Sequence, residues 1–231
     1  MASADNISSE VFCMEKTEKK EYVNYGNKTA CGCGCGAGTG GMGTGITGCR
    51  FSLSPMTDNF VDIILGAVKK THTEKVWQET GKLSTVYRGK QIHVEDAVKA
   101  CFINAWREGV HMTMEATYSK GCPGDTAGDS FMAEDDELLN EPEIRDVHFP
   151  VACKISLYPM GIPNYMEYIA EVVNHAIDLG IYEKSAHYCT VLSCDVQELF
   201  DYIHYVNTYC GERLSHYIFE VTFSVNSPTK E

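Results

Sequence analysis

Long apolar runs are missing from this 231-residue chain, and none approaches the ~20 residues that a membrane-spanning helix requires. Met1 to Lys28 alternate acidic, basic and polar residues and lack the apolar stretch of a secretory signal. Basic residues are in the minority, with 19 Lys and Arg against 32 Asp and Glu, whereas a nucleic-acid surface needs basic patches. We therefore expect a cytoplasmic protein that is not membrane-embedded and has no nucleic-acid partner.

Cysteine, by contrast, is abundant, with 11 residues. Without a secretory signal, we interpret these residues as free thiols in a reducing compartment. Cys31, Cys33 and Cys35 could bind a soft metal, but the second cysteine pair of a structural zinc site is missing, so we expect no metal. Several other cysteines occupy apolar positions of predicted helices and strands, where a thiol packs as a small hydrophobe: Cys101, Cys153, Cys189 and Cys210.

The chain contains an internal duplication. The segment from Arg50 to Met56, Arg-Phe-Ser-Leu-Ser-Pro-Met, returns 104 residues later as Lys-Ile-Ser-Leu-Tyr-Pro-Met. A second segment starts at His111, contains Glu-x-Thr-x-Ser, and returns 105 residues later at His216. Only two copies with so long a period indicate a duplicated domain and exclude a solenoid array.

Each copy has the same periodicity. Helical and strand patterns follow the order strand-helix-strand-strand-helix-strand, which is the ferredoxin-like (split βαβ) unit. The predicted fold is α+β, with two tandem ferredoxin-like repeats built on antiparallel sheets. The predicted divisions are a flexible Cys/Gly-rich tail (1–48), repeat 1 (49–130), an acidic linker (131–150) and repeat 2 (151–231).

The linker carries seven acidic residues against one basic residue, Arg145. A run of like charge is usually a solvated loop. We therefore expect this segment to form a solvated loop that joins the repeats. The acidic residues are Glu134, Asp135, Asp136, Glu137, Glu141, Glu143 and Asp146.

The strands place polar side chains on one face of each sheet. Strand residues alternate between faces, and both helices of the unit cover the apolar face. A wet sheet surface would explain this polar face, but its duplication favours a face that lines a ligand or meets a partner. Cross-strand pairs Arg50–Glu115 and Lys154–Glu220 are expected here. The face should present Arg50, Ser52, Glu115, Thr117 and Ser119 in copy one, and Lys154, Ser156, Glu220, Thr222 and Ser224 in copy two.

Three aromatic residues have two open interpretations. Trp77, Tyr87 and Tyr188 would either wall a ligand site or pack in the core. The sequence alone does not distinguish these roles.

Three further motifs occur together in this chain: Ser-Leu-x-Pro-Met at 52–56, Ser-Thr-Val-x-Arg-Gly at 84–89 and Gly-Cys-Pro-Gly-Asp-Thr-x-Gly-Asp at 121–129. With them the chain resembles the YkoF-like thiamin/hydroxymethylpyrimidine-binding family, and the similarity extends from about Gly43 to Pro228. The resemblance implies tandem ferredoxin-like repeats that dimerise, bind thiamin or its pyrimidine precursor, and are associated with transporters of these compounds.

The resemblance also implies site residues. It points to Leu53 on the first strand and Thr85 on the third strand of copy one. By the internal repeat, Leu157 is one counterpart, and Cys189 or Tyr188 is the other. Because Cys189 has no hydroxyl, the second site is expected to be weaker or differently selective.

The expected function is therefore non-catalytic binding of thiamin or hydroxymethylpyrimidine in the cytoplasm, linked to uptake or salvage of these compounds. The expected partners are a second copy of the chain and a thiamin-precursor transporter, with no cofactor besides the ligand. The repeats would turn their sheet faces toward one another or toward a dimer mate. One alternative is a thiamin-salvage enzyme using Glu115 or Glu220 with neighbouring thiols. Another is a structural dimerisation module.

Overall fold

A computed structural model describes residues 46–121 and 128–229 of the chain. The predicted tail, including Cys31, Cys33 and Cys35, lies outside these residues except for 46–48, which belong to the first strand. Residues 122–127 of the Gly/Pro motif also lie outside them.

The predicted α+β fold class is confirmed, and each repeat has the predicted element order. Within the described residues, no helix combines the length and apolar character required to cross a bilayer. Repeat 1 consists of β1 (Ile46–Pro55), α1 (Phe60–Lys70), β2 (Val76–Thr80), β3 (Thr85–Lys90), α2 (Gln91–Ala105) and β4 (Met112–Lys120). The linker contains a 3-10 turn (Asp129–Ala133) and α3 (Glu141–Ile144). Repeat 2 consists of β5 (Pro150–Pro159), α4 (Tyr165–Asp178), β6 (Tyr182–Ala186), β7 (Cys189–Asp195), α5 (Val196–Arg213) and β8 (Tyr217–Val225).

The two repeats form one antiparallel sheet of eight strands, in the order β2-β3-β1-β4-β8-β5-β7-β6. Their last strands pair along their whole length, from Met112 opposite Val225 to Lys120 opposite Tyr217. Of the two expected arrangements, the one in which the two sheets face one another is therefore wrong, and the one in which they face a dimer mate stays a prediction. A ferredoxin-like unit leaves its last strand at an edge, and pairing the two edges satisfies their backbone hydrogen bonds.

The core lies on the helix side of this sheet. On β4 and β8 every second residue is buried, including Met114, Tyr118 and Phe223. Phe102 of α2 packs against Phe223, with ring centroids 4.8 Å apart. α2 is buried on nearly all sides because it lies among α1, α3 and α5. Tyr87 belongs to this core, so it packs in the interior and does not form the wall of a ligand site. Its burial raises its pKa.

Most of the described cysteines pack as predicted. Cys101, Cys153 and Cys210 are buried free thiols, and burial raises the pKa of Cys101 and Cys210 to about 12. Cys189 differs because it is only half-buried, on the side of the sheet opposite the helices.

The acidic linker packs against repeat 1 and contains buried residues, so it is not simply a solvated loop, although most of its acidic side chains are exposed. Lys90 Nζ lies 2.6 Å from an Asp136 carboxylate oxygen, and Lys99 Nζ lies 2.8 Å from a Glu141 carboxylate oxygen. The buried Asn140 side chain donates to the His72 carbonyl and to Asp96, at 2.9 and 2.8 Å. Basic groups of repeat 1 thus offset the charge that the sequence concentrates in the linker.

A polar network connects the repeats beneath the β4–β8 pair. Glu95 of α2 lies 2.7 Å from His204 Nδ1 and accepts a hydrogen bond from the Asn207 side chain at 2.8 Å. Tyr217 of β8 donates to the Asn207 side-chain oxygen at 3.1 Å. The hydrogen bond to Glu95 raises the pKa of His204 above its ordinary value of 6.5, with a smaller contribution from Asp201.

This network predicts a pH-dependent stability. Because folding raises the pKa of His204, its stabilising contribution is complete below pH 6.5 and is lost as the pH rises through the raised value. The melting-temperature difference between wild type and His204→Gln should therefore shrink as the pH increases above 6.5. Glu95→Gln should remove the same pH dependence. A difference that stays constant across this range would contradict the assignment.

Candidate ligand-binding site

The face of the sheet opposite the helices, the open face, carries the predicted polar side chains. Around the β4–β8 junction, Glu115 lies opposite Thr222 and Thr117 lies opposite Glu220. Ala116 pairs with Val221 between them, and these two residues occupy equivalent positions in the duplication. The pseudo-twofold axis between the repeats therefore passes through this pair, and the two glutamates and two threonines surround it.

The two predicted cross-strand ion pairs do not form. The register places Arg50 opposite Thr117 and Lys154 opposite Thr222. Arg50 instead donates to Ser84 Oγ at 2.7 Å. The prediction chose the correct neighbouring strands. Glu115 and Glu220, however, each lie two residues along the strand from the threonine that is directly opposite Arg50 or Lys154.

A concavity of about 370 Å³ lies on the open face, beside the end of the β6–β7 hairpin. Five predicted site residues line it: Glu115, Thr117, Tyr188, Cys189 and Thr222. Three other residues predicted for the polar face also line it: Lys154, Ser156 and Glu220. Sequence reasoning did not place the remaining lining residues at a site: Tyr158, His187 and Ala116.

Three other predicted site residues lie on the open face outside the concavity. Ser119 Oγ donates to the Tyr217 carbonyl at 3.2 Å, and Ser224 Oγ lies 3.3 Å from His111 Nε2. Ser52 lies opposite Glu115 on β1. Their hydroxyls extend the polar face in both directions from the junction.

Tyrosine side chains form the walls of the concavity. Tyr158 Oη donates to a Glu220 carboxylate oxygen at 3.3 Å, and Ser156 Oγ donates to the Tyr188 carbonyl at 3.2 Å. Tyr188 has a φ of 69° and a side chain that is 98% exposed. A tyrosine in this left-handed conformation is uncommon, and such residues concentrate at functional sites. This supports the wall interpretation for Tyr188.

The strand edge at Leu53 has no partner strand in the described part of the chain. The β1–β3 ladder ends at Phe51–Thr85, whereas the β1–β4 ladder continues to Pro55–Met112. Met56 donates its N–H to the His111 carbonyl at 2.8 Å. Because the backbone groups of successive strand residues point to opposite neighbours, every second residue counted back from Met56 bonds to β4. Leu53 lies between two of these residues, so its N–H and C=O point to the side where β3 has ended.

Repeat 2 has the same open edge. Its β5–β7 ladder ends at Ile155–Thr190, and Met160 donates its N–H to the His216 carbonyl at 3.0 Å. By the same alternation, the backbone groups of Leu157 point away from β8. The Leu53 and Leu157 side chains contact the core on the helix side, so their contribution to a site comes from their backbones.

The register also corrects the counterpart of Thr85. Thr85 lies opposite Phe51, and in repeat 2 the equivalent residue Ile155 lies opposite Thr190. The expected counterparts Cys189 and Tyr188 are therefore wrong, because repeat 2 has one additional residue between β5 and β7. Thr190 supplies the hydroxyl that Cys189 lacks.

A hydroxyl partner on the outermost strand is duplicated as well. Thr80 Oγ1 lies 3.0 Å from Thr85 Oγ1, and Ser185 lies opposite Thr190. The loss of a hydroxyl therefore gives no reason to expect a weaker second site.

The Tyr188 conformation predicts a stability gain upon substitution. Asparagine tolerates the left-handed region better than tyrosine, so Tyr188→Asn should increase the free energy of unfolding by up to about 1 kcal/mol in urea denaturation. Tyr158→Asn, in an extended strand of the same concavity, is the matched control and should bring no increase. Equal effects in the two variants would show that the backbone at Tyr188 is not strained.

Comparison with known proteins gives two matches. A family model described as "YKOF-related Family" matches residues 46–125 and again 150–230, once for each repeat. A protein of Bacillus subtilis (strain 168) named "Putative HMP/thiamine-binding protein YkoF" is 40% identical over 186 residues, which cover 80% of this chain and 93% of the relative.

Proposed function

The chain belongs to the YKOF-related family, and we propose that it binds thiamin or its hydroxymethylpyrimidine moiety (HMP) at the open strand edges of its two repeats. The observation that carries this proposal is the duplicated edge at Leu53 and Leu157. Each edge offers one N–H donor and one C=O acceptor side by side. The relative's name supplies the ligand class, and the following chemistry supports it.

An aminopyrimidine is complementary to such an edge. Its amino group donates a hydrogen bond, and the adjacent ring nitrogen accepts one. A single strand residue presents the opposite pair, with its C=O accepting and its N–H donating. Recognition by an exposed strand edge uses main-chain hydrogen bonds for affinity and nearby side chains for specificity.

The threonine hydroxyls are the nearest side-chain groups at the end of each ladder. Thr85 and Thr190 are the last residues to pair before the edge opens. A hydroxyl both donates and accepts, so it suits the hydroxymethyl group of HMP or a second ring nitrogen. Both are at least partly shielded from water, which strengthens a hydrogen bond to the ligand.

We further propose that binding is reversible and without catalysis, in a cytoplasmic homodimer that serves uptake or salvage of thiamin precursors. Backbone amides and hydroxyls recognise a ligand without reacting with it. The enzymatic alternative would use Glu115 or Glu220 with the Cys189 thiol of the same concavity. Mass spectrometry after incubation with thiamin should recover the ligand unchanged; a new product would establish the enzyme.

The threonine pair gives a direct test. Thr85→Ala and Thr190→Ala should each weaken calorimetric binding of HMP at one site by about 1 kcal/mol, or about fivefold, through loss of one hydrogen bond. Thr85→Ser and Thr190→Ser keep the hydroxyl and should retain most of the affinity. If either alanine variant binds as wild type at both sites, its threonine is outside the site.

A ligand analogue tests the backbone edge without changing the protein. Replacing the 4-amino group of HMP with a carbonyl oxygen turns a donor into an acceptor facing the C=O of Leu53 or Leu157. The affinity should fall by about tenfold or more. Equal affinity for the two compounds would exclude amino-group recognition by the strand edge.

Thermal stability separates the binder from a purely structural dimerisation module. At an HMP concentration about 100 times Kd, binding to the native state should stabilise it by about 2.7 kcal/mol per site. The melting temperature should rise accordingly. No change with HMP, thiamin or its phosphates would support the structural alternative.

A further inference from the structure

The two repeats share the strand edge but differ in what surrounds it on the open face. In repeat 2, Tyr158 follows Leu157 directly, and Tyr188 lies at the tip of the hairpin across from it. The equivalent positions of repeat 1 hold Ser54 and Leu83. Within the described residues, repeat 1 therefore has the edge without aromatic side chains at these two positions.

A carboxylate accompanies these walls. Glu220 accepts the hydrogen bond of Tyr158 Oη at 3.3 Å, and both side chains remain exposed at the concavity. Glu115 of repeat 1 reaches the same concavity across the β4–β8 junction. The hydrogen bond to Glu220 fixes the ring of Tyr158 beside a negative charge.

The charges of the concavity favour a cation. Glu115 and Glu220 carry two negative charges, and Lys154 contributes one positive charge. Lys154 lies opposite Thr222, and it forms no ion pair with either carboxylate among the described residues. The concavity keeps one net negative charge, next to two tyrosine rings whose faces attract positive groups.

The Tyr188 backbone provides independent support. Its φ of 69° is unfavourable for a tyrosine, yet its ring is 98% exposed and contributes almost nothing to the core. A strained residue with little packing benefit is typical of a site where the side chain serves a ligand. Leu83 of repeat 1 is also exposed, at 89%, but it has no positive φ and no aromatic face.

We propose that the repeat 2 concavity is a subsite for a positively charged ring attached to the pyrimidine, so that repeat 2 prefers thiamin over HMP and repeat 1 does not. This inference rests on the proposed function, because the pyrimidine must first occupy the edge at Leu157. Tyr158 and Tyr188 stack on or flank the thiazolium, and Glu220 supplies the nearby negative charge. The specificity-determining residues are therefore Tyr158, Tyr188 and Glu220.

The test compares thiamin with HMP by calorimetry in a Thr85→Ala background, which weakens the repeat 1 site. Glu220→Gln and Tyr188→Leu should each lower the thiamin affinity about three- to tenfold, the range expected for a partly desolvated cation–π or charge contact. HMP affinity should change by less than about twofold, because HMP has no cation. Added salt should weaken thiamin binding more than HMP binding.

Matched controls come from the same chain. Glu79→Gln removes an exposed open-face carboxylate on β2, and Tyr165→Leu removes an exposed tyrosine at the start of α4. Neither should alter the ratio of the thiamin and HMP affinities. In the reverse direction, the double substitution Ser54→Tyr with Leu83→Tyr, made in a Thr190→Ala background, should increase the preference of repeat 1 for thiamin.

The outcomes separate the two proposals. If the wild-type protein binds neither ligand, the proposed function fails. If it binds both but Glu220→Gln and Tyr188→Leu weaken them equally, or leave thiamin unaffected, the function stands and the cation subsite is wrong. Melting temperatures of the ligand-free variants show whether each is folded. The Glu220→Gln change, on an exposed side chain, keeps the test valid if Tyr188→Leu alters the turn.

Discussion

The pairing of β4 with β8 is the constraint on which the rest of this structure depends. It turns two ferredoxin-like units into one eight-stranded sheet with helices on a single side. As a result, all the polar side chains of the duplicated motif face the same way. The pseudo-twofold axis then brings Glu115 of one repeat into the concavity of the other. Glu115 and Glu220, which are equivalent residues of the two repeats, therefore line the same concavity.

The strand lengths define where the proposed ligand-binding edges lie. β1 and β5 extend past the ends of β3 and β7, so a short stretch of backbone in each repeat lacks a neighbouring strand within the described residues. A leucine at the centre of this stretch contributes an apolar side chain to the core and polar backbone groups to the edge. Under the proposed function, Leu53 and Leu157 therefore contribute to recognition through their backbones, while their side chains pack in the core.

Much of the fold could be read from the sequence, because side-chain alternation directly reports burial. The burial of Met112, Met114 and Tyr118 was visible as an alternation of apolar and polar residues, and the duplication indicated the element order. The pairing register between neighbouring strands was not visible in this alternation. A single additional residue between β5 and β7 changes which residue corresponds to Thr85, and no periodicity marks it.

Contacts between distant segments were also beyond the sequence. Acidic residues of the linker pair with lysines that lie many positions earlier in the chain, such as Lys90 and Lys99. The concavity depends on a hairpin turn whose tip residue, Tyr188, adopts a conformation that its residue type does not predict. Local residue preferences predict each strand, whereas the candidate site depends on where the β1–β3 and β5–β7 ladders end.

The fusion of the two sheets also limits unwanted self-association. Two separate four-stranded units would expose four lateral edges, while the joined sheet has two, β2 and β6. Both are only five residues long, and β6 carries a register irregularity between Tyr182 and Lys184 together with exposed Glu183 and Lys184 side chains. Short, charged and irregular edges are poor templates for intermolecular strand addition. The junction that builds the polar open face therefore also protects the protein against fibrillar aggregation.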